Sequence, residues 1–196
     1  MINILGLYLT MASTTFAAQA VIGFDDLFTY PGGDNNVVPN GYGEIQWSSF
    51  NFVNGLNNPL NPSGYQNAVV SANNVAFNAY GGPAQISSQN LFDLNSGYFT
   101  AAWSDGLQME VQGFAGGHLL YENTYTLDTT APLFIEFGFL NVDQVNFSSY
   151  GGVGHYQYVG GDQFVMDDIV VTVPEPRRLA FLILVALLGL LRGRFR

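Results

Sequence analysis

Between Leu107 and Gln112 the chain alternates apolar and polar positions without a break, with Leu107, Met109 and Val111 on one side and Gln108, Glu110 and Gln112 on the other. A period of two is the mark of a strand with one face buried. Less regular runs rich in Phe, Tyr, Val and Thr predict further strands over Tyr98 to Trp103, Leu119 to Leu127, Leu133 to Phe139, Val142 to Phe147 and Phe164 to Val173. Earlier candidates are Val21 to Leu27, Val75 to Ala79, Gln85 to Ile86 and Leu91 to Leu94. Gly, Asn, Pro and Ser punctuate these runs at short intervals, as turns require. No amphipathic helix of ordinary length is visible between Val21 and Val173, and the stretch from Pro31 to Gly64 is the least regular. The pattern predicts an all-β body, a two-sheet antiparallel β-sandwich of jelly-roll-like topology with a small barrel as the alternative.

The two ends follow a different pattern. Ile2 to Leu9 is apolar, small and polar residues follow, and Ala18-Gln19-Ala20 forms an A-x-A cleavage signal. Residues 1–20 therefore read as a signal peptide with an apolar signal helix, cut after Ala20; a buried first helix is the alternative. At the far end Pro174-Glu175-Pro176 precedes Leu179 to Leu191, all apolar or Gly, and then Arg192-Gly193-Arg194-Phe195-Arg196. As a helix that apolar run is about 20 Å long against a hydrocarbon layer of about 30 Å, short for a membrane anchor unless it tilts and its arginines snorkel. The expected division is 1–20 leader, 21–173 β-sandwich domain and 174–196 tail.

Charge sharpens this division. All five basic residues are arginines at or beyond Arg177, the chain has no lysine, and every Asp and Glu except Glu175 lies between Val21 and Val173. An acidic body without cations repels phosphate backbones, which excludes nucleic acid as a partner. Arginines beyond the apolar run belong on the cytoplasmic side of a membrane, which places the acidic body outside. The absence of cysteine removes disulfides, thiolate zinc sites and a Cys nucleophile.

The order Pro174-Glu175-Pro176, the short apolar helix Leu179 to Leu191 and the basic end Arg192, Arg194 and Arg196 resembles the PEP-CTERM sorting signal of Gram-negative bacteria. The resemblance implies recognition and cutting by a membrane-embedded exosortase, transient anchoring in the inner membrane, and delivery to the cell surface or an extracellular matrix rich in exopolysaccharide. An ordinary tail anchor is the alternative. The middle is similar to a group of secreted β-sandwich domains of PEP-CTERM proteins that open on Phe24-Asp25-Asp26-Leu27 and close on Phe164-Val165-Met166-Asp167-Asp168-Ile169. Gly41-Tyr42-Gly43 to Trp47, Ala76-Phe77-Asn78 and Tyr98 to Trp103 fit the same pattern. That likeness implies a sandwich of the carbohydrate-binding-module kind.

Chemistry narrows the function further. There is no G-x-S-x-G elbow, no H-E-x-x-H site and no phosphate-binding glycine loop, and His118 and His155 each sit in a Gly-flanked stretch without an evident partner. A glycosidase needs only two facing carboxylates, so a carbohydrate-active hydrolase stays as the enzymatic alternative to a noncatalytic body. Aromatic rings stack on sugar faces, and Tyr42, Trp47 and Trp103 are the candidates, each against a competing role in the core. The acidic pairs Asp25-Asp26 and Asp167-Asp168 interrupt apolar strands. In Phe164 to Val173 either register puts a carboxylate in an apolar row unless a bulge re-aims it. If the first and last strands are neighbours, the pairs would converge on a structural calcium ion, the one cofactor expected here; solvated acids on a bulged edge are the alternative. The expected function is an exported, noncatalytic surface protein associated with extracellular polysaccharide, with a self-associating matrix or adhesion protein as the third possibility.

Overall fold

In the computed structural model of the chain, residues 17–28, 36–156 and 161–174 are described. Of these, Gln19–Val173 form one compact unit. Residues 1–16 of the expected leader, Glu175, Pro176, the apolar run and the terminal arginines lie outside the described residues. The strands are β1 (Ala17–Ile22), β2 (Asn36–Val37), β3 (Gln46–Ser48), β4 (Phe50–Asn54), β5 (Asn74–Asn78), β6 (Ala84–Ala101), β7 (Ser104–Asp105), β8 (Leu107–Ala115), β9 (His118–Leu127), β10 (Leu133–Tyr150), β11 (Val153–Gly154) and β12 (Phe164–Pro174). Helical structure among the described residues is confined to one turn of α-helix, α1 (Gly64–Asn67), and two 3₁₀ turns, Tyr42–Glu44 and Ala79–Gly81. No helix among the described residues is long and apolar enough to cross a membrane.

Ten strands form one sheet in the order β2-β4-β5-β12-β6-β10-β8-β9, with β1 beside β12 and β3 beside β6, and β7 and β11 make a separate ribbon. Each pairing whose register is defined is antiparallel. The sheet folds over on itself through its two 18-residue strands, β6 and β10. Ala84–Ser87 of β6 pair with β3 and with Gln144–Phe147 of β10, and that end of β10 also pairs with β8. Asp93–Ala101 pair instead with β12, and Tyr98 and Phe99 with Phe134 and Leu133. Three register shifts in β10 between Glu136 and Gln144 accompany the bend, where Gly138 and Asn141 take φ of +60° and +56°. Gly and Asn tolerate this left-handed backbone best, so the strand turns the corner without ending.

Two facing layers result, and the core lies between them. Phe147 of the first layer meets Phe50 and Phe164 of the second at 5.8 Å, and Tyr125 meets Phe137 edge-on at 5.6 Å. Such pairs add about 0.5–1.5 kcal/mol each beyond the area they bury. A smaller apolar cluster of Val53, Tyr65, Phe77, Trp103 and Val165 forms where α1 closes over the outer face of the second layer.

The alternation predicted for β8 is present: Leu107, Met109 and Val111 are fully buried, and Gln108, Glu110 and Gln112 face outward. In β12 a bulge re-aims the carboxylates, the alternative to a carboxylate lying in the apolar row. Its register against β6 shifts between Asp167 and Val170, and Asp168 takes φ of +48°. Phe164 and Met166 face the core before the shift, and Ile169, Val171 and Val173 after it. One extra residue reverses the parity, so the apolar row continues without a carboxylate in it.

One expectation needs correction. The stretch from Pro31 to Gly64 holds β2, β3 and β4, because Phe50, Phe52 and Val53 give it enough apolar surface to join the sheet. The predicted cleavage position after Ala20 falls inside β1, which pairs with β12.

Candidate functional site

Where β3, β6, β10, β8 and β9 lie side by side, a band of their outward side chains is made of amides and hydroxyls, with two carboxylates, Glu110 and Glu122, among them. Pairing brings Ser48 opposite Gln85, Gln85 opposite Asn146, Asn146 opposite Gln112, and Gln112 opposite Glu122. Neighbouring rows hold Ser148, Glu110 and Thr124, then Tyr150, Gln108 and Thr126. Directly opposed positions on adjacent strands are about 5 Å apart, so the rows form a continuous polar surface. A cleft of about 310 Å³ opens on it, lined by Ser48, Pro83, Gln85, Glu110, Gln112, Asn146 and Ser148 among others.

Part of this surface is held by its own contacts. Gln112 Nε2 donates to Glu122 Oε1 at 2.6 Å, Gln144 Nε2 to Asn146 Oδ1 at 2.9 Å, and Gln108 Nε2 to Thr126 Oγ1 at 3.2 Å. Among the described residues Ser48, Gln85, Glu110 and Ser148 make no side-chain hydrogen bond, which leaves their donors and acceptors to the cleft. Tyr150 is half-exposed at the end of its row. Tyr80 is 85% exposed on the turn before Pro83, with φ of +56°. That turn is pinned by Asn78, whose Nδ2 donates to Gly82 O at 2.9 Å.

The predicted aromatic ligands lie elsewhere. Trp47 is 5% exposed, edge-on to Phe24 and Phe50, with its indole N–H donating to the Tyr42 carbonyl at 2.8 Å. Trp103 is 7% exposed against Tyr65. Neither ring face is open to a sugar, because each is packed into a buried apolar cluster. Tyr42 is half-buried and donates to Asp26 Oδ1 at 2.5 Å; burial first, and then the Asp26 carboxylate, push its hydroxyl pKa upward.

Three of the four predicted carboxylates do meet. The Ser71 Oγ lies 2.8 Å from Asp168 Oδ1, 3.0 Å from Asp25 Oδ2 and 3.5 Å from Asp167 Oδ1. Asp26 turns away to Tyr42. The convergence point is thus a serine hydroxyl, and among the described residues no three His, Asp or Glu side chains form a metal-ligand cluster. Backbone amides supply much of the compensation. Asp25 Oδ1 accepts from Asn73 N and Asn74 N at 2.9 Å each, and Asp167 Oδ2 from Val70 N at 2.8 Å and Ser71 N at 3.0 Å. Asp167 is fully buried, and desolvation pushes its carboxyl pKa up to about 6 against the pull of these donors.

His155 proves to have a partner. Its Nδ1 lies 2.5 Å from Asp105 Oδ2, and Asp105 Oδ1 accepts from Thr129 N and Thr129 Oγ1 at 2.8 and 2.7 Å. Asp105 and His155 stand 50 positions apart, and no motif between them reveals the pair. The amide rows were half-visible, since the outward side of β8 follows from its alternation, but their neighbours on β3, β6 and β10 depend on register.

No protein-family model and no curated protein matches the chain. Among solved structures, TmCBM61 in complex with β-1,4-galactotriose is similar over 67% of this chain and 88% of its own length, at 14% identity and a TM-score of 0.36. CBM32-3 from a family 31 glycoside hydrolase of Clostridium perfringens is similar over 56% of this chain and 81% of its own length, at 13% identity and a TM-score of 0.34.

Proposed function

We propose that the chain is an exported, noncatalytic surface protein whose β-body, read as a jelly-roll-like sandwich, binds extracellular polysaccharide across the face of β3, β6, β10, β8 and β9. One observation carries this reading: the cleft bordered by the row Ser48, Gln85, Asn146 and Gln112. Each amide both donates and accepts, as each sugar hydroxyl does, so a surface of fixed amides matches a polyol better than any charged array. Tyr150 and Tyr80 offer apolar ring faces beside it. The two carboxylates of the face, Glu110 and Glu122, stand among these amides and hydroxyls on an open surface, where they accept hydrogen bonds from sugar hydroxyls.

Export and sorting are supported by the sequence of the ends: the A-x-A signal, Pro174-Glu175-Pro176, the apolar run and the terminal arginines. In this reading the tail engages the inner membrane and an exosortase before the body reaches the surface. Retention of the full chain on immobilised galactan and glucan tests the binding reading. Gln85→Ala and Asn146→Ala each weaken retention about three- to tenfold by removing hydrogen bonds worth about 1 kcal/mol. Retention that both substitutions leave untouched would sink the assignment to this face. Mass spectrometry of the mature termini tests export, and an uncut chain in the cytosol would refute it.

A self-associating matrix protein is the second reading. β9 ends the sheet, is ten residues long, exposes Leu119 and Leu120 by about half, and carries neither Lys nor Pro to discourage edge pairing. Sedimentation analysis separates the two readings.

A further inference from the structure

We infer that the polysaccharide accepted by this face is free of carboxylate, sulfate and phosphate groups, and that Glu110 and Glu122 exclude acidic glycans; the inference rests on the polysaccharide-binding reading above. Acidic sugars are recognised through cations, most often a guanidinium fork or an ammonium group. From Val21 to Val173 there is neither Lys nor Arg, and the chain as a whole carries a formal charge of −10. The two imidazoles supply no substitute. His118 stands opposite Ala115 at the start of β9, away from the cleft lining, and His155 is engaged by Asp105.

The charges present on the face have the opposite sign. Glu110 lines the cleft, stands opposite Ser148 and Thr124, and has no hydrogen-bond partner among the described residues. Glu122 faces Gln112, and the 2.6 Å bond from Gln112 Nε2 fixes its carboxylate beside the amide row. Ionised carboxylates only accept hydrogen bonds, so they pair with sugar hydroxyls as donors. A uronate or sulfate placed among them brings a further anion with no donor to meet it. Like charges set against each other act as a filter on partner identity more than as a source of affinity.

The test uses the full chain on columns of neutral galactan, neutral glucan and polygalacturonate at low salt. The native chain is expected to be retained by a neutral polymer and to pass polygalacturonate unretarded. Glu110→Gln and Glu122→Gln are each expected to raise retention on polygalacturonate about two- to fivefold, the range of a half-screened surface charge contact. High salt should shrink the difference between native and variant chains. Native retention on polygalacturonate equal to that on the neutral polymers, or no gain from either substitution, overturns the charge filter and leaves polysaccharide binding standing. Failure of every column to retain the native chain overturns the binding reading itself. Circular dichroism of each variant separates a changed filter from a lost fold.

Discussion

The Asp105 carboxylate meets the His155 imidazole at 2.5 Å and thereby ties β7 to the residue that follows β11. The same carboxylate accepts two hydrogen bonds from Thr129. Burial is the largest single influence on its pKa and acts upward, yet the Thr129 and His155 contacts together hold it below the usual Asp value. A depressed pKa in the folded state gives stability that is present above the ordinary Asp range and lost as pH falls through the lowered value. Asp105→Asn should therefore cost about 1 kcal/mol at neutral pH, at the low end for a contact this exposed, and much less near about pH 3. Urea unfolding at both pH values checks this; an equal loss at both would assign the effect to shape alone.

Asp167 behaves in the opposite sense. Desolvation raises its pKa to about 6, with the Asp168 charge adding and the amides of Ser71 and Val70 opposing. A carboxyl raised in the folded state binds a proton that the unfolded chain has released. Its contribution to stability thus falls as pH rises from the ordinary Asp value of about 4 to about 6, and then levels off. The size is on the order of 3 kcal/mol. Asp167→Asn should flatten this part of the stability profile, and melting temperatures across the window report it. Parallel profiles for the two chains would contradict the assignment.

Gly64 is the tightest glycine in the second layer. A Cβ there would overlap the Ala101 carbonyl oxygen and come within 2.8 Å of the Ala101 carbonyl carbon and 2.9 Å of the Ala102 Cα. Backbone cannot swing aside as a side chain does, so Gly64→Ala should lift α1 off Tyr65's cluster at a cost of about 3 kcal/mol or more. Near-ultraviolet circular dichroism of Trp103, which packs on Tyr65 at 5.5 Å, should change in step. An unaltered melting temperature would show that α1 docks differently.

Asn78 is fully buried and uses both ends of its amide: Oδ1 accepts from Phe164 N at 2.8 Å, and Nδ2 donates to Gly82 O at 2.9 Å. Asn78→Leu keeps the branched shape, is somewhat larger, and strands both backbone groups, for an expected loss of about 2–4 kcal/mol. Since Gly82 O belongs to the turn carrying Tyr80, the variant should also bind polysaccharide more weakly under conditions where it is still folded. Denaturant titration and gel retention measure the two effects separately.

Much of the framework could be read from periodicity. β8 declares its buried face through strict alternation, and the conflict of parity around Asp167 and Asp168 left a bulge as one of its resolutions, with register needed to choose it. Long strands were harder. β6 and β10 read as separate short runs because Gln89 and Asn90, then Asn95, Ser96 and Gly97, and in β10 Asn141, interrupt the apolar pattern, and an interruption looks like an end when only neighbours along the chain are visible. The tryptophans misled for a related reason: Trp47 and Trp103 have the chemistry of sugar platforms, and only the packing of Phe24, Phe50 and Tyr65 against them shows that they are spent on the core. Ser71, which gathers three carboxylates, gave no signal at all, since a serine in a loop is the commonest of residues.

Because β6 and β10 each run through both layers, the two layers of Gln19–Val173 are joined by continuous strands and cannot part without bending or breaking them. A thermal opening that frees the amide rows from the core must also peel the same strands from β12, so the two layers should exchange their amide hydrogens at a common rate. Whatever docks on the outer face meets a surface that borrows its stiffness from the Phe-packed interior, and pays little to be held still.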